Sequence, residues 1–104
     1  MPVQIGYWDL RGLVGFVKLV AVFTEENVEW TLYDINSERE KWAKDKAEML
    51  PQKGFHFPNL PWMIDGNVTL TQSLAILKHL ARKHDLLGGV ADAALLDMLE
   101  VWYQ

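Results

Sequence analysis

The sequence contains no cysteine among its 104 residues. The chain therefore offers no disulfide, no thiolate nucleophile and no zinc–thiolate site of its own. Positive charge is also scarce, with 10 lysines and arginines against 14 acidic residues and a net charge of -4 at pH 7. Because these few cations are scattered, no basic stripe is available for phosphates, and a nucleic-acid partner is not expected.

A metal site is not expected either. The chain has three histidines, His56, His79 and His84, and their spacing matches no metal-binding motif. His79 and His84 are five apart on a predicted helix, which places them on different faces. We expect all three to be structural or solvent-exposed.

The chain also lacks an evident targeting or membrane segment. Residues 1–5 show no basic region followed by an apolar core, so no secretory signal is indicated. The longest apolar stretch, residues 13–23, is interrupted by Lys18 and is shorter than the roughly 20 residues that span a bilayer. We therefore expect a cytoplasmic protein with no membrane partner.

What is present has the composition of one globular domain, with 50% apolar and 23% charged residues. Apolar runs, turn residues and helical periodicity predict strands over 3–7, 28–34, 61–64 and 68–71, and helices over 13–24, 37–50 and 72–84. A helical crossover implies parallel pairing of the first two strands, and the Asp65-Gly66 hairpin implies antiparallel pairing. The expected fold is an α/β fold with a thioredoxin-like mixed four-stranded sheet, in the order βαβ-α-ββα.

Three local features of these elements are also predicted. Ser37 should cap the second helix, and Thr71 or Ser73 the last, because small hydroxyl side chains favour that position. Residues 51–58 are rich in helix breakers and are predicted to be loop. The first helix is apolar on nearly every side, so we expect neighbours to cover more than one of its faces.

The C-terminal residues are predicted to lie outside this unit. We place one domain at residues 1–84 and a linker with a further helix at residues 85–104. Residues 90–103 have a helical pattern with Asp92, Asp97 and Glu100 as their only charges. So apolar a helix needs a partner that the chain does not contain. Either the chain associates through this helix or it is a fragment of a longer protein.

The Leu60-Pro61 pair stands where a loop enters the third predicted strand, and a proline at a strand start requires an edge position or a special geometry. A cis bond there would turn the backbone of Leu60 outward, free to pair with a peptide-like ligand as an added strand. The alternative is a trans proline in a turn, which is by far the commoner geometry.

Two further pairs could bind a ligand. Gln72 and Ser73 open the last helix, where backbone N–H groups and the helix dipole favour an anion; alternatively, Ser73 only caps the helix. Tyr7 and Trp8 end the first strand, at a sheet end where ligands commonly bind. A tyrosine hydroxyl there could donate to a thiolate, whereas the alternative is a pair of core aromatics.

A third candidate group lies on the second helix. Arg39, Trp42 and Lys46 recur at spacings of three and four and therefore share one face. They could hold a carboxylate against an indole surface. The alternative is a solvated polar face with one packed tryptophan.

Several motifs together resemble the Mu class of cytosolic glutathione transferases. They are GYWDLRGL at residues 6–13, FPNLP at 57–61, IDG at 64–66, LTQS at 70–73 and ARKH at 81–84. The combination of GYW, FPNLP and LTQS is specific to that group and its close relatives. The similarity runs from the first residue to about residue 88 and is looser in the final helix.

The resemblance implies a transferase domain that binds glutathione as co-substrate and activates its thiol for conjugation to a small electrophile. Tyr7 would donate its hydroxyl to the glutathione sulfur, and Leu13 would pack beside it. The absence of cysteine agrees with this, since the nucleophile comes from the ligand. A thiol-disulfide oxidoreductase of the same fold is excluded because it would need its own thiol.

The remaining site residues are also implied by the resemblance. Leu60 beside a cis Pro61 would pair with the cysteinyl backbone, and Gln72 and Ser73 would take the γ-glutamyl end. The tripeptide would be lined, with the cations facing its glycine carboxylate, by Trp8, Arg39, Trp42, Lys46 and Asn59.

The chain departs from the family pattern in sequence and in length. It is longer between Trp42 and Phe57, and Lys18 and Val22 replace the usual arginine and glutamate of the first helix. Asp97 matches, with a one-residue gap, an acidic residue that reaches the partner subunit's glutathione. Family members also continue into an all-helical domain that forms most of the electrophile pocket, of which we expect only the first helix here.

These departures leave two functions open. The 104 residues alone are expected to bind glutathione weakly and to show low conjugating activity, in a dimer or other homo-oligomer. The alternative is a non-catalytic binding or assembly module.

Overall fold

The computed structural model describes residues 2–10 and 12–86, together with residues 94, 97 and 98. Four strands form one sheet: β1 (Val3–Trp8), β2 (Val28–Tyr33), β3 (Trp62–Asp65) and β4 (Val68–Thr71). Their order across the sheet is β2-β1-β3-β4. β1 is parallel to β2 and antiparallel to β3, which is antiparallel to β4. The predicted thioredoxin-like mixed sheet is confirmed.

The helices follow the predicted order with different boundaries. A 3-10 turn (Gly12–Val14) leads into α1 (Gly15–Phe23), and α4 (Ser73–Lys83) follows the hairpin. Between them, α2 (Arg39–Lys44) continues through a π-helical turn (Asp45–Met49) into α3 (Leu50–Gln52). The prediction of loop from residue 51 was wrong at its start. Pro51 lies in α3, directly after the π-helical turn.

Alternation along the strands builds a core on each face of the sheet. On one face, buried side chains of β1 and β3 pack against α1 and α4; the cluster comprises Val3, Ile5, Tyr7, Val14, Val17, Met63, Ile76 and Leu80. On the other face, Trp62 packs with Leu50 and Phe55, beneath the segment that runs from α2 to α3. The sheet is therefore the middle layer of three.

Gly6 leaves room on β1 for the Trp62 indole, the largest side chain in the core on the α2–α3 face of the sheet. It pairs with Trp62 of β3, and a Cβ built on Gly6 would lie 2.1 Å from Cε2 of the Trp62 indole. The indole therefore crosses β1 where that strand has no side chain.

The described residues cover α1 on one side only. Val17 and Ala21 are buried and Val20 is half-buried, whereas the remaining large apolar side chains of α1, and Leu13 just before it, are 62–78% exposed: Leu13, Phe16, Leu19, Val22 and Phe23. The expectation that neighbours cover several faces of this helix is not met within the described residues. A groove of about 980 Å³ runs along this exposed side from Asp9 to Val22.

The predicted caps were wrong because other groups satisfy the turns. The Asp34 carboxylate accepts the N–H groups of Asn36 and Ser37, at 2.8 and 3.0 Å, and Glu38 then occupies the position before α2. These backbone donors lower the pKa of Asp34. At α4, Gln72 occupies the cap position without a side-chain cap bond, and the Thr71 hydroxyl donates instead to the Phe57 carbonyl at 2.8 Å.

Five charged or titratable side chains tie α4 to the hairpin and to the entry of β2. His79 Nε2 lies 2.8 Å from Asp65 Oδ2, and His84 Nε2 lies 2.6 Å from Glu26 Oε2. Lys83 bridges the two pairs by donating to both carboxylates. The two histidines, although five residues apart, thus belong to one network. The hydrogen bond from Lys83 is the main cause of the lowered pKa of Glu26, and the same bond raises the pKa of Lys83. The hydrogen bond with His79 is the main cause of the lowered pKa of Asp65.

This network predicts loss of stability in acid. A carboxylate with a lowered folded-state pKa stabilises the fold above its unfolded pKa of about 4, and this contribution disappears as the pH falls through the folded value. We expect Glu26→Gln to flatten the decline in unfolding free energy between about pH 5 and pH 2. Urea denaturation over that range measures it, with Glu29→Gln on the exposed side of β2 as the matched control. An unchanged acid slope in Glu26→Gln would contradict the assignment.

Most of the C-terminal segment lies outside the described residues. Of the helix predicted over 90–103, Ala94, Asp97 and Met98 are described; they are helical and exposed. Lys78 Nζ of α4 donates to Asp97 Oδ1 at 3.1 Å. The boundary between residues 84 and 85 stays a prediction. Among the described residues, no helix has both the length and the apolar character needed to cross a membrane.

Candidate functional site

One end of the sheet gathers the residues to which the sequence motifs point. β1 and β2 both end there, with Trp8 paired to Tyr33. β3 begins there at Trp62, opposite Gly6 on one side and Thr71 on the other. The residues that flank these pairs therefore converge at the same end of the sheet; they are Tyr7, Leu60, Pro61, Gln72 and Ser73.

Tyr7 presents its hydroxyl to the turn that follows β1. The side chain is 6% exposed, and its hydroxyl oxygen accepts the N–H of Leu13 at 3.1 Å. Gly12 has φ +35°, and a Cβ there would lie 2.5 Å from the same oxygen. The turn thus needs glycine both for its backbone and for its closeness to the hydroxyl. Within the described part of the chain Tyr7 donates to no acceptor, so its proton is available to a ligand.

Asn59 and Leu60 lie just before β3, at the same end of the sheet as Tyr7. The Leu60-Pro61 bond is cis, as the functional alternative for this proline requires. Leu60 is half-buried and packs against both core clusters, and its N–H donates to Asn59 Oδ1 at 2.9 Å. The Leu60 N–H, which an added strand would use as a donor, is therefore already hydrogen-bonded to the Asn59 side chain.

Gln72 holds an unusual backbone conformation at the start of α4. Its φ is +76° and its ψ is 120°, and its carbonyl accepts the N–H of Ile76 at 3.1 Å. Positive φ is uncommon in residues other than glycine, and such strained residues cluster at binding sites. Ser73 is the first helical residue, so both residues lie where the helix favours an anion.

An aromatic cluster closes the β2 side of this end. Tyr33 and Trp42 have ring centroids 5.6 Å apart, and Trp8 lies 6.3 Å from Tyr33 and 6.5 Å from Trp42. All three contacts are edge-to-face, the arrangement that the ring quadrupoles favour. The cluster brings together Trp8 and Trp42, which the sequence analysis assigned to two different candidate groups.

The two cations of this group are exposed. Arg39 begins α2, and its Nε donates to the Ile35 carbonyl at 2.6 Å. Lys46 lies in the π-helical turn, not in α2. The prediction that three residues share one helix face assumed α-helical spacing throughout. That spacing holds between Arg39 and Trp42 but not between Trp42 and Lys46.

Sequence reasoning missed three residues beneath this site. Tyr33 is fully buried, donates its hydroxyl to Asp45 Oδ2 at 2.7 Å and accepts the Trp62 indole N–H at 3.3 Å. Burial, and then the hydrogen bond to Asp45, raises the pKa of Tyr33. The only available signal was the tyrosine itself, since a buried tyrosine hydroxyl usually finds a partner. No cluster of three potential metal ligands occurs among the described residues.

Comparison with known proteins shows the family of the chain. The family model described as "Glutathione S-transferase, N-terminal domain" matches residues 3–82. The chain belongs to this family. A glutathione S-transferase of Mesocricetus auratus is 42% identical over 96% of this chain, and the class-mu 26 kDa isozyme of Schistosoma japonicum is 44% identical over 92% of it. Glutathione S-transferase Mu 1 of Bos taurus is 40% identical over 96% of it. The Mu-class resemblance is confirmed.

Solved glutathione S-transferases share the fold. The structure of the enzyme Blo t 8 has a TM-score of 0.78, with 32% identity over 95% of this chain. Monomeric Na-GST-3 of Necator americanus also has a TM-score of 0.78, with 24% identity over 99% of this chain. The chain spans 42–46% of the length of the curated relatives named above, and 44% and 46% of these two structures.

Proposed function

We propose that this chain binds glutathione at the Tyr7 end of the sheet and stabilises the thiolate that attacks a small electrophile. The observation that carries the proposal is the Tyr7 hydroxyl, which accepts the Leu13 N–H and, among the described residues, donates to no acceptor, so that its proton can go to a ligand. A hydrogen bond to the charged form of an acid favours that form. The glutathione thiol would therefore lose its proton to solvent at a lower pH than it does free in water.

The conjugation step follows from this thiolate. Its sulfur attacks the electrophilic carbon, a C–S bond forms, and the leaving group departs with its electron pair. The Leu13 N–H polarises the tyrosine hydroxyl, because linked hydrogen bonds strengthen one another. Leu13 is 62% exposed; it would lie next to the sulfur and offer an apolar contact to the electrophile.

The rest of the site would hold the tripeptide backbone and its two charged ends. Leu60 beside Pro61 would pair with the cysteinyl residue after Asn59 Oδ1 releases its N–H. Gln72 and Ser73 would take the γ-glutamyl carboxylate at the start of α4. The glycine end would lie against Trp8, Trp42 and Asn59, with Arg39 and Lys46 facing its carboxylate.

We also propose a cytoplasmic homo-oligomer. The exposed side of α1 carries more large apolar side chains than is usual for a helix that faces water, and these would be covered in the assembly. The same exposed side favours the alternative function, a non-catalytic assembly module. For the 104 residues alone we propose weak glutathione binding and low conjugating activity, since the chain spans less than half of each of the curated relatives named above.

Calorimetric titration with glutathione separates the two functions. We expect one site per chain, and we expect Gln72→Asn to weaken binding about tenfold or more, because a hydrogen bond to a charged group contributes about 1.5–3 kcal/mol. Asparagine keeps both the amide group and a Cβ at this position and is one methylene shorter than glutamine, so the variant tests the side-chain contact. Absence of heat with the unmodified chain would favour the assembly module.

A further inference from the structure

We infer that Tyr33 is a positioning residue that fixes the part of the site where the glycine carboxylate of glutathione binds. The inference rests on the proposed function. It adds a residue that touches no part of the tripeptide and acts through the turn that joins Trp42 to Lys46.

The hydroxyl of Tyr33 joins three elements in the core. Tyr33 ends β2, donates to Asp45 Oδ2 at 2.7 Å in the π-helical turn, and accepts the N–H of Trp62 at 3.3 Å from β3. Because the hydroxyl is buried and faces a carboxylate, it stays protonated and acts as a constant donor to Asp45.

Asp45 lies between Trp42 and Lys46 along the chain, two of the residues proposed for the glycine end. Its N–H bonds to the carbonyls of Lys41 and Trp42, and its own carbonyl accepts the N–H of Leu50. The next residue is Lys46. The hydrogen bond from Tyr33 to the Asp45 side chain therefore fixes the position of the π-helical turn relative to α2. It thereby also fixes the backbone from which the Lys46 side chain extends. Such π-helical turns are frequent at functional sites.

The ring of Tyr33 supports Trp42 separately from its hydroxyl. Its edge-to-face contacts with Trp8 and Trp42 depend on the ring alone, and Lys41 Nζ lies 5.6 Å from the ring centroid. Phenylalanine at position 33 keeps these ring contacts and loses only the bonds to Asp45 and Trp62. The substitution thus isolates the effect on the turn.

The test compares glutathione with γ-glutamylcysteine, which lacks the glycine residue. We expect Tyr33→Phe to weaken glutathione binding roughly fivefold, the factor that corresponds to one net hydrogen bond, and to leave the affinity for γ-glutamylcysteine unchanged. Asp45→Ala should give the same selective loss while keeping the bond between Tyr33 and Trp62. It therefore carries the test if Tyr33→Phe is too unstable to measure.

The outcomes distinguish the inference from the proposed function. Equal losses for both ligands in Asp45→Ala would show a general structural role and overturn the inference, as would unchanged glutathione affinity in both variants. Equal binding of the two ligands by the unmodified chain would also overturn it, because the glycine end would then make no contribution. Failure of the unmodified chain to bind either ligand would refute the proposed function, and the inference with it.

Discussion

Replacing Tyr7 with phenylalanine is expected to raise the thiol pKa of bound glutathione by about one to two units. A hydrogen bond to a charged acceptor contributes about 1.5–3 kcal/mol, and one pKa unit corresponds to about 1.4 kcal/mol. Loss of the donor therefore returns the thiol toward the usual value for cysteine, about 8.5. The phenyl ring keeps the packing of Tyr7 with the core that it shares with Ile5 and Met63.

The measurement is a pH titration of the thiolate absorbance of bound glutathione, for the unmodified chain and for Tyr7→Phe. S-methylglutathione provides the control, because it has no thiol proton and should bind both proteins equally. A thiol pKa that is the same in both proteins would show that the Tyr7 hydroxyl does not reach the sulfur.

Replacing Gly6 with alanine is expected to cost about 3 kcal/mol of unfolding free energy, the upper end of what overpacking usually costs. The added Cβ would meet the Trp62 indole at 2.1–2.5 Å. The indole cannot move away easily, since it is 2% exposed and donates to Tyr33. For a domain of this size the loss corresponds to a fall in Tm on the order of 15 °C.

Thermal and urea denaturation measure this cost, and a double-mutant cycle assigns it. Trp62→Leu removes the indole, so Gly6→Ala should cost much less in that background. Gly66→Asn is the matched control: Gly66 has φ +58°, which asparagine tolerates, and a Cβ there meets no atom within 4 Å. A Gly6→Ala variant as stable as the unmodified chain would contradict the packing of Trp62 across β1.

The sequence predicted what depends on local pattern. The apolar run over residues 3–7 indicated the first strand, and the Asp65-Gly66 pair indicated the hairpin. The order of elements then restricted the sheet to the mixed topology that the structure has. The cis form of the bond before Pro61 came from the family motif, because the residues alone favoured trans.

The errors arose where a second group competed for the same role. The Asp34 carboxylate satisfies the turn that Ser37 was expected to cap, because a charged acceptor binds backbone N–H groups more strongly than a hydroxyl. Thr71 donates across the chain to Phe57 rather than to its own helix. Local propensity could not reveal either partner.

The contact of Tyr33 with Asp45 shows a different limit. It joins β2 to a π-helical turn 12 residues later, and it also requires Trp62 to cross β1 above Gly6. Helical periodicity assumes an α-helix through residue 50. It therefore assigns Lys46 to the wrong position around the helix axis, because this residue lies in the π-helical turn. Only the packed sheet shows that these residues meet.

The most direct test of the central claim is to map glutathione on the chain by the chemical shifts of its backbone amides and indole N–H groups. The account predicts that the largest changes occur at one end of the sheet, in the signals of Trp8, Leu13, Trp42, Leu60, Gln72 and Ser73. Changes confined to the exposed side of α1, or no changes at saturating glutathione, would contradict it.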